Sequence, residues 1–235
     1  MNRRKVVGTI LIACGVIVAL YGVWTAWGEN EFYALTQSNA AAKYHSEPQS
    51  TVGATSSPVQ VNGKTFLDAA EATHLGDVFA KMYVPKFGKN WSRLVGEGVK
   101  WHPVLNEIGV GHYPSSQLPG EVGNFAVAGH RGGFGGAFLN IHRLTKGDHV
   151  YLETNAGWFS YTYLQTKIVK PADVDVIAAV PRELTGHVAG ERYMTMTSCT
   201  PVYVNTNRII VWLKLDEVRT LEQGPPAEIA VEVGN

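Results

Sequence analysis

A chain of 235 residues with 45% hydrophobic content has material for one sizeable core plus attachments. Its 20 Lys and Arg balance 20 Asp and Glu, with no basic run or stripe. That excludes nucleic acid as a partner, because binding a phosphate backbone needs a clustered positive excess.

The first five residues carry Arg3, Arg4 and Lys5, and residues 6–27 follow without a charge. As a helix this segment is about 33 Å long, against a bilayer hydrocarbon core of about 30 Å. Tyr21, Trp24 and Trp27 gather at its far end like an interfacial belt, and Glu29 and Glu31 come next. The spacing predicts a transmembrane signal-anchor helix over 6–27, with 1–5 in the cytoplasm and everything later outside the cell. A cleaved signal peptide shares the charge pattern but normally has a shorter apolar core. Acylation at Cys14, as in a lipoprotein, conflicts with the apolar sequence that continues past it.

Residues 28–75 are rich in Ala, Ser, Gln, Thr and Asn, and read as a flexible or partly helical stalk holding the next domain off the membrane. A short helix is expected over 67–72. From about Gly76, β-rich runs separated by turn residues dominate: 78–84, 91–96, 124–129, 149–153, 157–169, 173–180, 194–199 and 208–215. Only 138–144 suggests another short helix. Six to eight strands at this spacing predict a mainly β domain, a closed or nearly closed barrel, over 76–218. Residues 219–235 form a tail with no readable role.

Cys199 is the only cysteine outside the N-terminal apolar segment. An exported domain with one cysteine cannot close an internal disulfide, so this thiol is a candidate reactive group. With a period of two, Met194, Met196 and Ser198 share one strand face, while Tyr193, Thr195, Thr197 and Cys199 share the other. In the next strand Ile209, Val211, Leu213 and Leu215 form an aliphatic row opposite Arg208. Antiparallel pairing would bring Cys199 and Arg208 together on the non-core face. Free cysteines usually pack as small hydrophobes, but a thiol beside a fixed positive charge is placed for thiolate chemistry. The pattern alone leaves both readings open, and a histidine able to pair with the thiol would decide between them.

Among the histidines, His45 and His74 precede the barrel, and His142, His149 and His187 stand beside loops with no ligand-like companions. The chain has no His-x-x-x-His or Cys-x-x-Cys spacing, so neither a metal nor another cofactor is expected. His130 differs. It ends a strand in which Phe125 and Val127 point one way and Ala126 and Ala128 the other, and the glycine-rich loop Arg-Gly-Gly-Phe-Gly-Gly follows. Small residues on the histidine's face would leave a groove floor open.

His130, Cys199 and Arg208, in that order, resemble the sortases, membrane-tethered cysteine transpeptidases of Gram-positive bacteria. Their Thr-Leu-x-Thr-Cys signature with a later Arg is similar to Thr195-Met-Thr-Ser-Cys199 with Arg208, and their post-strand histidine to Val127-Ala-Gly-His-Arg131. The runs Glu107-Ile-Gly-Val-Gly-His-Tyr-Pro114 and Leu118 to Arg131 look like class E sortases of actinobacteria. Thr200 departs from them, because that class commonly has His there. The likeness spans about 76–216 and implies an eight-stranded barrel. It also implies cleavage of a C-terminal Leu-Ala-x-Thr-Gly or Leu-Pro-x-Thr-Gly-like signal between Thr and Gly through a thioester, then transfer to an amine. Partners implied are surface proteins bearing that signal, a cell-wall precursor or pilin amine as acceptor, and the membrane through 6–27. Catalytic roles would fall to His130, Cys199 and Arg208, and substrate contacts to Tyr113, Thr197 and Ser198. L,D-transpeptidases and wall amidases of the NlpC type fit less well: the first carry Gly before the cysteine, where Ser198 stands, and the second place the cysteine ahead of the histidine. A different class remains, a tethered barrel that only binds wall polymer or a partner protein, with Trp101, Trp158 and Tyr161 as its sugar-binding aromatics.

Overall fold

The computed structural model describes residues 3–44, 59–61, 64–66 and 74–233. An apolar helix, α1 (Arg3–Val23), runs through one wider turn (Trp24–Gly28) into α2 (Glu29–Lys43). Val6–Val23 is long and apolar enough to cross a membrane. Val59–Val61 and Lys64–Phe66 pair as a small hairpin, and the helix expected over 67–72 lies outside the described residues.

Eight strands form the barrel: β1 (Val78–Tyr83), β2 (Ser92–Glu97), β3 (Gly109–His112), β4 (Gly123–Gly129), β5 (His149–Thr154), β6 (Gly157–Val169), β7 (Arg192–Thr200) and β8 (Asn207–Arg219). The order around it is β8-β6-β5-β1-β2-β3-β4-β7, closing back on β8. Two neighbouring pairs are parallel, β2 with β3 and β4 with β7. The alternation that marked the strands also fills the barrel. Phe125 and Val127 of β4, Met194 and Met196 of β7, and Ile209, Val211, Leu213 and Leu215 of β8 meet in one core. Burial of such side chains, at roughly 1.5–3 kcal/mol each, is what closes the barrel.

One expected strand fails and one strand was missed, each for a physical reason. Residues 173–180 are no strand; they contain a short 3-10 turn, Val174–Ile177. There the Lys170 amide donates to Asp173 Oδ2 at 2.8 Å, and Val176 turns in against Trp212 and Tyr193. The short helix expected over 138–144 is a 3-10 turn, Ile141–Arg143. Strand β3 escaped notice because Gly109-Val-Gly-His has weak β propensity. Its Gly111 is there for space, since a Cβ would sit 2.3 Å from the Gly98 carbonyl oxygen.

The largest difference lies in the stretch read as a stalk. Its part 29–43 is α2, which packs on β2 and on the helical segment Trp101–Ile108. Low overall hydropathy suggested a loose linker. The helix instead buries a narrow stripe that includes Gln37 and Ala41, both 0% exposed.

Candidate active site

Parallel pairing of β4 with β7 sets Ala128 opposite Thr197. Two residues further along each strand direction come His130 and Cys199, so imidazole and thiol leave the same end of the barrel side by side. On the other flank of β7, the β8 register makes Arg208 the direct partner of Cys199. Half-buried Cys199, His130 and Arg208 line one cleft of about 370 Å³, together with Tyr113, Thr197 and Ser198. The cysteine is a free thiol. All six residues singled out from the sequence thus border a single space.

Burial pushes the His130 imidazole below its ordinary pKa, which favours the neutral ring. Its Nε2 lies 2.8 Å from Asn106 Oδ1. The Asn106 amide nitrogen is 3.1 Å from His102 Nε2, and His102 Nδ1 is 2.7 Å from Glu107 Oε1. One proton arrangement satisfies every link: His102 donates to Glu107, Asn106 donates to His102, and His130 Nε2–H donates to Asn106. Nδ1 is then the His130 nitrogen with a free lone pair. Two aromatic rings flank this imidazole, Phe134 at 5.3 Å and Trp101 at 5.9 Å between centroids.

Arg208 is held by its own turn, where Nη1 donates to the Asn205 and Asn207 carbonyls at 3.2 and 3.0 Å. Ser198 is buried and its hydroxyl donates to the Gly129 carbonyl at 2.7 Å. Tyr113 and Thr197 share a hydrogen bond of 3.0 Å between their hydroxyls. Thr200 accepts from Arg131 Nη1 at 2.6 Å, so the residue that departs from the class E pattern ties the histidine loop to the end of β7.

Sequence reasoning missed Asn106 and His102. A search for a carboxylate behind His130 passes over an asparagine, and 24 residues separate the two partners. The clustering of His102, Asn106 and Glu107 within one short run was the available signal. Of the three aromatics offered as a sugar platform, only Trp101 is exposed, at 63%. Trp158 and Tyr161 are core residues, and the Tyr161 hydroxyl accepts from the Gly120 amide.

Comparison with known proteins points to one family. Residues 82–216 match the sortase domain family. Sortase SrtE1 of Streptomyces coelicolor is 31% identical over 228 residues, covering 94% of this chain, which spans 60% of that relative's length. Sortase SrtE2 of the same organism is 31% identical over 234 residues, covering 96% of this chain and 87% of its own. Among solved structures, sortase E1 from Streptomyces coelicolor with a tripeptide in the active site superposes with a TM-score of 0.62 at 32% identity. It covers 66% of this chain and 97% of its own.

Proposed function

Because this chain belongs to the sortase family of cysteine transpeptidases, we propose that it cleaves a Leu-Ala-x-Thr-Gly or Leu-Pro-x-Thr-Gly-like sorting signal between Thr and Gly. It then passes the severed protein to an amine of the cell-wall precursor or of a pilin. The observation that carries this reading is the convergence of Cys199, His130 and Arg208 on one cleft.

In the first half-reaction the Cys199 thiol passes its proton to His130 Nδ1 as the sulfur attacks the Thr carbonyl carbon, forming a C–S bond and a tetrahedral oxyanion. The Arg208 guanidinium stabilises that charge and orients the carbonyl. Collapse breaks the C–N bond, and His130 gives its proton to the departing glycine amine. A thioester remains. In the second half the acceptor amine attacks the thioester carbonyl, loses a proton to His130 and displaces the thiolate, so an amide replaces an amide and no oxidant is consumed. Arg3, Arg4 and Lys5 before the apolar helix favour a cytoplasmic N-terminus and an extracellular barrel.

The direct test incubates the full chain, in detergent, with a Leu-Ala-x-Thr-Gly peptide and records intact mass. An adduct of the acyl fragment on Cys199, discharged by an added amine, is expected; cleavage elsewhere, or no adduct, would end the proposal.

Two narrower results follow. Asn106→Ala strips His130 of the group that fixes its ring, and turnover should drop by about tenfold or more, because small displacements of a reacting group are costly. The check is kcat for peptide cleavage, with the melting midpoint as control. Tyr113→Phe keeps the ring and loses the bond to Thr197. A neutral hydrogen bond is worth about 0.5–1.5 kcal/mol. The likeness to class E sortases implies a tyrosine in the choice of Ala over Pro, and with Tyr113 in that role the ratio of kcat/KM for Ala-bearing over Pro-bearing signals should fall by roughly two- to tenfold; an unchanged ratio would remove Tyr113 from substrate selection.

A further inference from the structure

The helix leading out of the membrane-spanning segment reaches the active site. Along α2, Asn30, Tyr33, Gln37 and Ala41 recur at helical spacing on the side that meets the barrel. Asn30 Oδ1 accepts from the Gly135 amide at 3.1 Å, and the Tyr33 ring meets the Phe134 ring edge-on at 5.4 Å. Gln37 is fully buried, and both ends of its amide are engaged. Its nitrogen donates to the Asn106 carbonyl at 2.8 Å and to the Phe134 carbonyl at 3.0 Å, while its oxygen accepts from Arg93 Nε at 3.1 Å.

The two carbonyls belong to two of the residues that contact the His130 ring. The Asn106 side chain holds Nε2, and the Phe134 ring covers the imidazole. Phe134 also has a φ of 47°, a left-handed backbone that a bulky residue seldom adopts unless its surroundings impose it. The buried Gln37 amide holds the carbonyl of that residue. Since a buried polar group is kept only when its bonds are made, Gln37 is better explained as a clamp than as filling.

We infer that Gln37 is a positioning residue for His130, so that the membrane-proximal helix completes the active site by clamping the segments on two sides of the imidazole. The inference rests on the sortase reading for its kinetic consequence, but not for the geometry it predicts. Two variants of the full chain in lipid nanodiscs separate the contributions. Gln37→Met keeps the volume and removes all three hydrogen bonds. Gln37→Glu keeps an acceptor for Arg93 but loses the paired N–H donors facing the two carbonyls, so it preserves the tie to β2 and loosens the clamp.

Both variants are expected to lower kcat for peptide cleavage by about tenfold with KM nearly unchanged, since reacting-group placement is lost and binding is not. Melting midpoints are recorded for both variants, but the tautomer of His130 is the readout that separates lost placement from lost stability, because in Gln37→Glu a carboxylate oxygen facing two carbonyls also destabilises. Independently of any substrate, nitrogen-resolved NMR of labelled histidines, with His130 assigned by difference against His130→Gln, should find the Nε2–H tautomer in the parent. A mixture of tautomers is expected in both variants. Full kcat in Gln37→Glu, or an unchanged tautomer in both variants, would overturn the inference and leave the helix a stabilising strut. A parent chain that cleaves no peptide would overturn the functional reading instead, and the NMR comparison would still decide the role of Gln37.

Discussion

Cys199→Ala is expected to abolish cleavage and acyl transfer, a loss of at least about 10³-fold of the kind seen when a covalent nucleophile is removed. No neighbouring group can stand in for the thiol. Ser198 is buried with its hydroxyl committed to the Gly129 carbonyl, and the Thr197 hydroxyl is engaged by Tyr113 and by the Val127 carbonyl. The only other cysteine, Cys14, lies in the apolar helix. The fold should survive, because Cys199 is half-exposed next to the end of β7 and contributes nothing to the barrel core. Peptide-cleavage progress curves and intact mass after incubation with peptide make the check, with a melting curve as control. Any residual cleavage above a small percentage of the parent rate would require a different nucleophile.

Arg208→Lys should cost about 10²-fold in kcat, the scale measured for loss of one oxyanion donor. The structure gives the reason that a conserved charge does not suffice. One guanidinium nitrogen is spent on the Asn205 and Asn207 carbonyls, which fixes the plane of the group beside Cys199. An ammonium is a compact point charge that cannot both hold those carbonyls and keep donors in a fixed plane toward the substrate. The measurement is kcat and KM for the same peptide, together with the rate of acyl-adduct formation. Turnover within a factor of two of the parent, at unchanged stability, would reduce Arg208 to a support of its turn.

Much of this site was legible in the sequence because strand alternation is a strict code. The aliphatic row at Ile209, Val211, Leu213 and Leu215 fixed which face of β8 is core, and with it the meeting of Arg208 and Cys199. Of the two alanines read as a groove floor, Ala128 lines the cleft while Ala126 is fully buried away from it. What failed depended on packing between distant segments. Val174 and Val176 alternate like a strand, yet only Val176 is buried, below Trp212 whose indole donates to its carbonyl. Asn106 carries no signature of catalysis by itself. The docking of α2 rests on Asn30, Tyr33, a buried Gln37 and a buried Ala41, a stripe too narrow to separate from a polar linker by composition.

The unbroken helical path from Arg3 through Gly28 to Lys43 has a mechanical consequence. With Val6–Val23 in a bilayer, Gln37 stands ten residues past Trp27, about 15 Å along the helix axis. A barrel gripped by that rod cannot swing on a tether. Its catalytic opening would then stay at a nearly constant height above the surface, the height being set by the length of the rod between Trp27 and Gln37.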